Sequence, residues 1–279
     1  MLNALLKQNN FVFKKKLGQN FISDSNLLKN IIELSGYPKN MEILEIGAGA
    51  GTLTKLLCEN FKSVVSYEID KSLQPVLAQN LKDIKNCKLI FADVLKQDIK
   101  EIESNFEGEY CIFANLPYYI TSPIIFKFLE DSTKLKSMYI MVQKEVAERL
   151  AAKPGTKDYG APSVEVQIVA DCKIVKQISR RMFYPVPDVD SCMLKIEIRS
   201  HTPPIRVCFD YKKFTRFVKA CFAQRRKTIY NNLVSAYKFK KEELENILAG
   251  LNLSLNVRAE QLSVGQFAEL FKIIDLGKR

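Results

Sequence analysis

The chain has 279 residues, with 42 Lys and Arg against 31 Asp and Glu, so its formal net charge is +11. Apolar residues make up 47% of it and charged residues 26%, which is typical of a globular protein and excludes a disordered chain. The longest apolar runs fall far short of the roughly 20 residues that a bilayer-spanning helix needs, so we predict no membrane partner. The length predicts one or two domains with a buried core.

In the first half of the chain, short apolar runs alternate with amphipathic segments. Five runs have the composition of buried strands: Glu42–Ile46, Ser63–Ile69, Cys87–Ala92, Tyr110–Ala114 and Ser137–Val142. Helices are predicted behind the capping residues Asp24 and Ser25, over Thr52–Asn60 and over Ser72–Asp83. Strands that alternate with helices indicate βαβ units and a mostly parallel sheet.

After Pro154-Gly155 the pattern changes. Two longer runs, Val164–Ile178 and Cys192–Ile198, predict further strands that give the sheet an antiparallel end. A linker is predicted at residues 201–204, and beyond it three helices over Phe214–Ala236, Lys241–Leu251 and Ser263–Ile274. We therefore predict one domain over residues 1–203, with a basic N-terminal arm over 1–22, and a small helical domain over 204–279.

The positive charge is concentrated in segments without acidic residues. No acid precedes Asp24, and none occurs from Tyr211 to Lys241. Clustered positive charge with interleaved aromatic residues favours a polyanionic partner such as nucleic acid, and a merely solvated helix face is the alternative. The candidate RNA-binding residues are Lys14, Lys15, Lys16, Arg216, Lys219, Arg225, Arg226 and Lys227.

The seven cysteines are scattered and include no Cys-x-x-Cys pair, and the chain has a single histidine, His201. This composition predicts no zinc site and no other metal. Unpaired cysteines suit the reducing cytosol better than secretion, and the N-terminus does not resemble a secretory signal. We therefore predict a cytoplasmic protein.

A glycine-rich turn, with Gly47, Gly49 and Gly51, ends the first predicted strand and opens a helix. Glycines permit unusual backbone angles and close approach of a ligand, and the helix N-terminus offers free N–H groups. Glu68 ends the second strand, roughly 20 residues further on, where a carboxylate accepts from ribose hydroxyls, and Asp93 ends the third, where it could accept from an adenine amino group. The pattern predicts an adenosine-bearing cofactor, either NAD or S-adenosylmethionine. The alternative is a glycine turn with a purely structural role.

The fourth strand ends in Asn115-Leu116-Pro117-Tyr118. The exocyclic amino nitrogen of a base is a poor nucleophile. An Asn side-chain carbonyl and a backbone carbonyl can accept hydrogen bonds from its two N–H groups, which favours positive charge on the nitrogen. Pro117 fixes a backbone angle that aims the Leu116 carbonyl, and Tyr118 offers a face on which an extruded base can stack. The alternative is a simple turn after a strand, with a core tyrosine.

These two motifs together resemble those of the adenine-N6 methyltransferases that act on nucleic acid. Four further segments resemble the KsgA/RsmA family of small-subunit (16S) rRNA adenine N6,N6-dimethyltransferases, from about residue 14 to the C-terminus: Leu17-Gly18-Gln19-Asn20-Phe21, Met141–Leu150, Cys221–Thr228 and Arg258-Ala259-Glu260. The resemblance implies an α/β fold with a Rossmann-like class I methyltransferase sheet, which has seven strands and an antiparallel end, and a small all-helical C-terminal domain.

The resemblance also implies S-adenosyl-L-methionine as the cofactor. The implied cofactor-binding residues are Gln19, Asn20, Ile22, Gly47, Gly49, Gly51, Glu68, Asp93 and Asn115. The implied catalytic residues are Asn115, Leu116, Pro117, Tyr118 and Phe183, with Phe183 stacking on the target adenine opposite Tyr118. The chain departs from the family at Ala48, where the family usually has proline, and at Tyr119, where it usually has asparagine.

The implied reaction is dimethylation of two adjacent adenines in the 3′-terminal hairpin loop of small-subunit rRNA. The implied partner is this rRNA within the pre-30S ribosomal particle, the expected role is in ribosome biogenesis, and the expected enzyme is a monomer. The alternatives are an Erm-type large-subunit methyltransferase, a non-catalytic ribosome-assembly or transcription factor of the same fold, an NAD oxidoreductase, and a methyltransferase acting on DNA.

Overall fold

The computed structural model of the protein describes residues 6, 8–9, 11–14, 18–22, 24–199, 210–237 and 239–276. The chain divides into two compact units, and each unit is formed by two stretches of sequence. The first comprises Met1–Ala147 and Lys173–Ile198, and the second comprises Glu148–Cys172 and Arg199–Arg279. The first unit carries the sheet except for the first residues of one edge strand, and the second is mainly helical.

The strands are β1 (Phe21–Ile22), β2 (Glu42–Ile46), β3 (Ser63–Glu68), β4 (Cys87–Phe91), β5 (Tyr110–Asn115), β6 (Leu135–Gln143), β7 (Ala170–Ile178), β8 (Phe183–Tyr184) and β9 (Ser191–Ile198). The helices are α1 (Ser25–Ser35), α2 (Thr52–Asn60), α3 (Gln74–Asn80), α4 (Ile99–Glu103), α5 (Tyr118–Asp131), α6 (Lys144–Leu150), α7 (Ala161–Gln167), α8 (Tyr211–Cys221), α9 (Ile229–Tyr237), α10 (Lys241–Gly250) and α11 (Val264–Leu276).

In the described part of the chain, seven strands form one sheet in the order β4-β3-β2-β5-β6-β9-β7. The pairs β2–β3, β3–β4, β2–β5 and β5–β6 are parallel, whereas β6 and β9 are antiparallel. The predicted seven-stranded sheet with an antiparallel end is thereby confirmed. Because β2 to β5 are parallel, their carboxyl ends meet at one edge of the sheet, which is where ligands bind in such folds.

The packing of the first unit follows from its apolar strands and from well-capped helices. All five residues of β2 are buried, as expected for a central strand covered on both faces. The predicted cap of α1 is confirmed, because the Asp24 carboxylate accepts from the N–H groups of Asn26 and Leu27. Helix α1 ends at Gly36, whose φ of 68° suits a left-handed C-cap. The predicted helix Thr52–Asn60 is confirmed without change as α2.

Two of the predicted elements are only partly right in the second half of the chain. The strand predicted over Val164–Ile178 is confirmed over Ala170–Ile178. Residues 164–167 belong to α7, because Gly160 and Pro162 start a helix there and the Ser163 hydroxyl accepts from Gly160 N–H. Val164, Glu165 and Val166 alternate between apolar and polar residues, a pattern typical of a strand, and this led to the wrong prediction. The helix predicted over Phe214–Ala236 is two helices, α8 and α9. The Asn232 amide donates to the carbonyls of Cys221 and Gln224 and thereby stabilises the break between them.

The predicted boundary between residues 203 and 204 lies outside the described residues, so the division into 1–203 and 204–279 stays a prediction. The structure groups 148–172 with the C-terminal helices. The buried Tyr211 hydroxyl of α8 donates to the Glu165 carbonyl of α7 at 2.8 Å, and α7 packs against both α8 and α11. This grouping is not visible in the order of the elements along the chain.

Candidate active site

A cavity of about 360 Å³ opens at the carboxyl ends of the parallel strands in the first unit. Its volume lies within the roughly 300–1,000 Å³ of small-molecule sites. Most of the predicted site residues are in its wall: Gln19, Asn20, Ile22, Gly47, Gly49, Glu68, Asp93, Asn115, Leu116, Pro117, Tyr118 and Phe183. Gly51, although also predicted, is not part of the described wall and packs against α3, where an added Cβ would lie 3.0 Å from Leu77 Cδ2.

The glycine turn between β2 and α2 brings bare backbone to the cavity. Gly47 and Gly49 have φ values of 87° and 56°, which strongly favour glycine. An added Cβ on Gly49 would lie 2.8 Å from the Phe21 ring, so a side chain has no room there. The unusual Ala48 fits, because it is buried and its N–H, like that of Gly47, donates to the Tyr67 carbonyl.

Glu68 is fixed at the end of β3 by two backbone donors. Its Oε2 accepts from Gly49 N–H and its Oε1 from Asp70 N–H, both at 2.8 Å. Burial raises the pKa of Glu68, and these two hydrogen bonds oppose that rise. The carboxylate is therefore held in one orientation beside the glycine turn, where ribose hydroxyls would add the donors that burial has removed.

Asp93 lies at the end of β4, where its carboxylate caps a short helix. Its Oδ1 accepts from Leu95 N–H at 3.0 Å and caps the short 3₁₀ helix Val94–Lys96 that follows β4. Asp93 also lines the cavity. The cap therefore fixes the carboxylate at the strand end beside the cavity, and its contact with an adenine amino group stays a prediction.

The Asn115 side chain has a defined orientation at the end of β5. Its Nδ2 donates to the Asn20 carbonyl at 3.1 Å. A flipped amide would put two carbonyl oxygens against each other, so Oδ1 is the atom that can accept from a ligand. Pro117, with φ −55°, stands two residues later and begins the turn into α5. The structure thus provides the acceptor that the chemistry of an exocyclic amine requires.

Two aromatic rings, those of Tyr118 and Phe183, lie in the wall of the same cavity. The Tyr118 hydroxyl forms a 2.9 Å hydrogen bond with the buried Ser191 hydroxyl, and burial raises the Tyr118 pKa, so the phenol is neutral and its ring is fixed. Phe183 is 4% exposed and pairs with Ile22 across the β1–β8 ladder. The unusual Tyr119 is 60% exposed and also lines the cavity, so it does not displace Tyr118.

The structure adds a residue that sequence reasoning missed and gives another a partner that the sequence did not predict. Ser191, which holds Tyr118, carries no motif by which the sequence could have revealed it. Lys14, whose predicted contact with RNA stays a prediction, forms an ion pair with the buried Asp70 at 2.5 Å. Asp70 stands two residues after Glu68, and that spacing is the one signal that could have drawn attention to it. Lys15 and Lys16 lie outside the described residues.

The other predicted RNA-binding residues belong to the second unit. Helix α8 buries its apolar side and exposes Arg216 and Lys219 on the opposite side. Arg226 and Lys227 are exposed in the turn between α8 and α9. Arg225 is also exposed, but it pairs with Glu260 at 3.0 Å and donates to the Lys157 carbonyl, so it braces the turn.

Two further features concern metal ions and membranes. Among the described residues no group of three or more His, Cys, Asp or Glu is placed to hold a metal ion. In that same part of the chain, no helix combines the length and the apolar character that crossing a membrane takes.

Comparison with known proteins agrees with this site. The model of the family described as ribosomal RNA adenine dimethylase matches residues 10–276. A ribosomal RNA small subunit methyltransferase A from Geobacillus thermodenitrificans is 42% identical over 272 residues, which are 95% of this chain and 92% of the relative. The structure of a dimethyladenosine transferase from Plasmodium falciparum has a TM-score of 0.77 at 24% identity and covers 92% of this chain and 98% of its own.

The structure of the 23S rRNA methyltransferase ErmE has a TM-score of 0.69 at 25% identity and covers 91% of this chain and 99% of its own. Both structures share the fold, and the family model spans nearly the whole sequence, including the glycine turn and the segment from Asn115 to Tyr118. The resemblance stated from the motifs is confirmed, and the chain belongs to the ribosomal RNA adenine dimethylase family.

Proposed function

We propose that the protein is an S-adenosylmethionine-dependent enzyme that dimethylates N6 of two adjacent adenines in the 3′-terminal hairpin loop of small-subunit rRNA. The observation that carries the proposal is the fixed amide of Asn115, whose Oδ1 is available at the cavity because Nδ2 is engaged by Asn20. The substrate class is supported by the family and by relatives named ribosomal RNA small subunit methyltransferase A.

The residues of the cavity fit this cofactor. Gly47 and Gly49 leave room for a ligand against the backbone, Glu68 offers a carboxylate for ribose hydroxyls, and Asp93 offers one for the adenine amino group. Gln19, Asn20 and Ile22 also line the cavity. S-adenosylmethionine, when bound, supplies an electrophilic methyl group on a sulfonium ion. The sulfonium is already strongly activated, so the protein contributes mainly binding, orientation and electrostatics.

The catalytic role of the chain is to hold the target nitrogen. Asn115 Oδ1 and the Leu116 carbonyl accept hydrogen bonds from the two N6–H groups and stabilise the positive charge that develops on this nitrogen. Tyr118 and Phe183 stack on the adenine after it has left its own stack. No histidine base is needed, because the methylated nitrogen is a strong acid and loses its proton readily. The same cavity must then accept N6-methyladenine for the second transfer.

We extend the proposal to the setting of the reaction. The rRNA is recognised within the pre-30S particle, in the cytoplasm, by a monomer. The exposed basic residues of α8 and the turn after it, namely Arg216, Lys219, Arg226 and Lys227, are the proposed contacts to RNA phosphates.

The test is methyl transfer from radiolabelled S-adenosylmethionine to unmethylated small subunits, large subunits, naked rRNA and DNA, followed by identification of the modified nucleoside by mass spectrometry. We expect dimethyladenosine in the small-subunit substrate alone. Label in large-subunit RNA would move the assignment to the substrate named for ErmE. Cofactor binding without transfer to any substrate would make the protein a non-catalytic binding factor.

A further inference from the structure

Asp70 joins two walls of the cofactor cavity, although it takes no part in the proposed chemistry. It is 3% exposed and follows β3 by two residues. Its Oδ1 accepts from Lys14 Nζ at 2.5 Å, and its Oδ2 accepts from Gln19 Nε2 at 2.8 Å. Its own N–H donates to Glu68 Oε1. One buried carboxylate thus holds residues that are 56 and 51 positions away, while its backbone orients the proposed ribose-binding acid.

The segment that Asp70 holds crosses the cavity. We call Lys14 and Gly18–Ile22 the N-terminal strap. Gln19 Oε1 accepts from Lys14 N–H at 3.0 Å, so both ends of the Gln19 amide are engaged. The strap continues past the carboxyl ends of β5 and β2, where the Asn20 carbonyl accepts from Asn115 and the Phe21 ring packs on Gly49. The position of the strap therefore decides the shape of the cavity at three strand ends.

The charges support a persistent contact. Burial alone would raise the pKa of Asp70, but its hydrogen bonds with Lys14, Ser72 and Gln19 outweigh burial and lower it to about 2. The carboxylate is therefore ionised throughout the range in which the protein would be assayed. Charge-assisted hydrogen bonds to a buried carboxylate are about twice as strong as neutral ones.

We propose that Asp70 is a positioning residue, which holds the N-terminal strap over the cofactor cavity through Lys14 and Gln19 while its N–H sets the orientation of Glu68. The inference rests on the proposed function, because it assumes that this cavity takes S-adenosylmethionine. Lys14 then serves cofactor binding. Release of the strap leaves the glycine turn and Asp93 in place but removes the part of the cavity wall formed by Gly18–Ile22, including the Asn20 carbonyl that orients Asn115.

The experiment uses calorimetry with S-adenosylhomocysteine, which reports binding without turnover, on the wild-type chain, Lys14→Met, Asp70→Asn and the double variant. We expect each single variant to raise the dissociation constant about 10-fold, in line with the removal of a charge-assisted hydrogen bond. Because the two residues form one contact, the double variant should bind no more weakly than the weaker single variant. Hydrogen exchange of Gly18–Ile22 should become faster in all three.

Lys136→Met is the matched control, because Lys136 also pairs with an acid, Glu109, and its side chain is 48% exposed like that of Lys14. It should bind as the wild type does. Wild-type protein that fails to bind would overturn the proposed function itself. If the wild type binds and the Asp70 and Lys14 variants bind with the same affinity as the wild type, this inference alone is overturned. Losses of affinity that add up in the double variant and parallel the decreases in melting temperature would also overturn it, since they indicate general destabilisation.

Discussion

The cofactor cavity and the basic surface of the second unit use polar groups in opposite ways. In the cavity, Glu68, Asn115 and Tyr118 are each fixed by a hydrogen bond of 3.1 Å or less before any ligand arrives. On the basic surface, Arg226 and Lys227 are exposed to water. Fixed groups act over one contact distance and depend on geometry, whereas hydrated charges act over a Debye length and depend on salt. The two regions should therefore respond differently to substitution.

Substitution of the cavity's fixed acceptor should have the largest effect. Asn115→Ala removes the amide oxygen that we assign to the N6 protons, and it also frees the Asn20 carbonyl. Removal of one preorganised transition-state interaction of this kind costs about 100-fold or more in turnover. We expect that decrease in kcat for methyl transfer to small subunits at saturating cofactor and RNA.

The control is Asn60→Ala, because the Asn60 amide donates to a backbone carbonyl at the end of α2 and does not line the cavity. Its turnover should match the wild type. Near-wild-type turnover in folded Asn115→Ala protein would show that geometry at this residue does not drive the reaction.

Gly49→Ala should come next, because it strains the backbone and fills space at once. Alanine would adopt a left-handed φ of 56° and place its Cβ 2.8 Å from the Phe21 ring. We expect unfolding by urea to show a loss of roughly 1–3 kcal/mol and calorimetry to show weaker cofactor binding. Gly108→Ala is the matched control, since an added Cβ there meets nothing within 4 Å. Equal effects of the two substitutions would contradict a close backbone approach at Gly49.

The second unit also contains a buried acid, Glu165, so not all of its charged residues are exposed to water. Burial raises the pKa of Glu165 to about 7, although Lys219 lies 3.9 Å away and lowers it. A carboxyl whose folded-state pKa is raised stabilises the fold fully below its ordinary value of 4.5 and loses that contribution as pH rises through about 7. The free energy of unfolding should therefore fall between about pH 4.5 and pH 7.

Glu165→Gln should flatten this pH dependence by about 1–2 kcal/mol over that interval, as measured by urea unfolding at several pH values. The exposed Glu243→Gln is the control and should leave the curve unchanged. The buried Glu45 of the first unit has a pKa raised to about 7 by the same cause, so the difference between wild type and variant is the informative quantity. Curves that coincide for Glu165→Gln and wild type would contradict a buried, neutral Glu165.

The sequence predicts best those features that arise within a few residues. The turn from β2 into α2 and the segment after β5 are local, because a strand end, glycines and a proline determine the backbone there. The parallel part of the sheet follows from alternating strands and helices, although the order of its strands does not. Contacts between distant residues were not predictable: nothing near Lys14 indicates that its partner is Asp70, and nothing near Tyr118 indicates Ser191. The break between α8 and α9 depends likewise on Asn232, which lies eleven residues beyond Cys221.

Substitution on the basic surface should have the smallest effect per residue and a different signature. Arg226→Ala with Lys227→Ala should weaken small-subunit RNA binding only a few-fold and lower the slope of log affinity against log salt by about 0.7–0.9 for each phosphate that is no longer neutralised. Cofactor affinity should not change, because both residues lie outside the described cavity wall. Lys272→Ala, an exposed lysine of α11, is the control. A salt slope equal to that of the wild type would mean that Arg226 and Lys227 are solvated charges without phosphate partners, and the contrast between the two regions would then be one between a binding site and an ordinary surface.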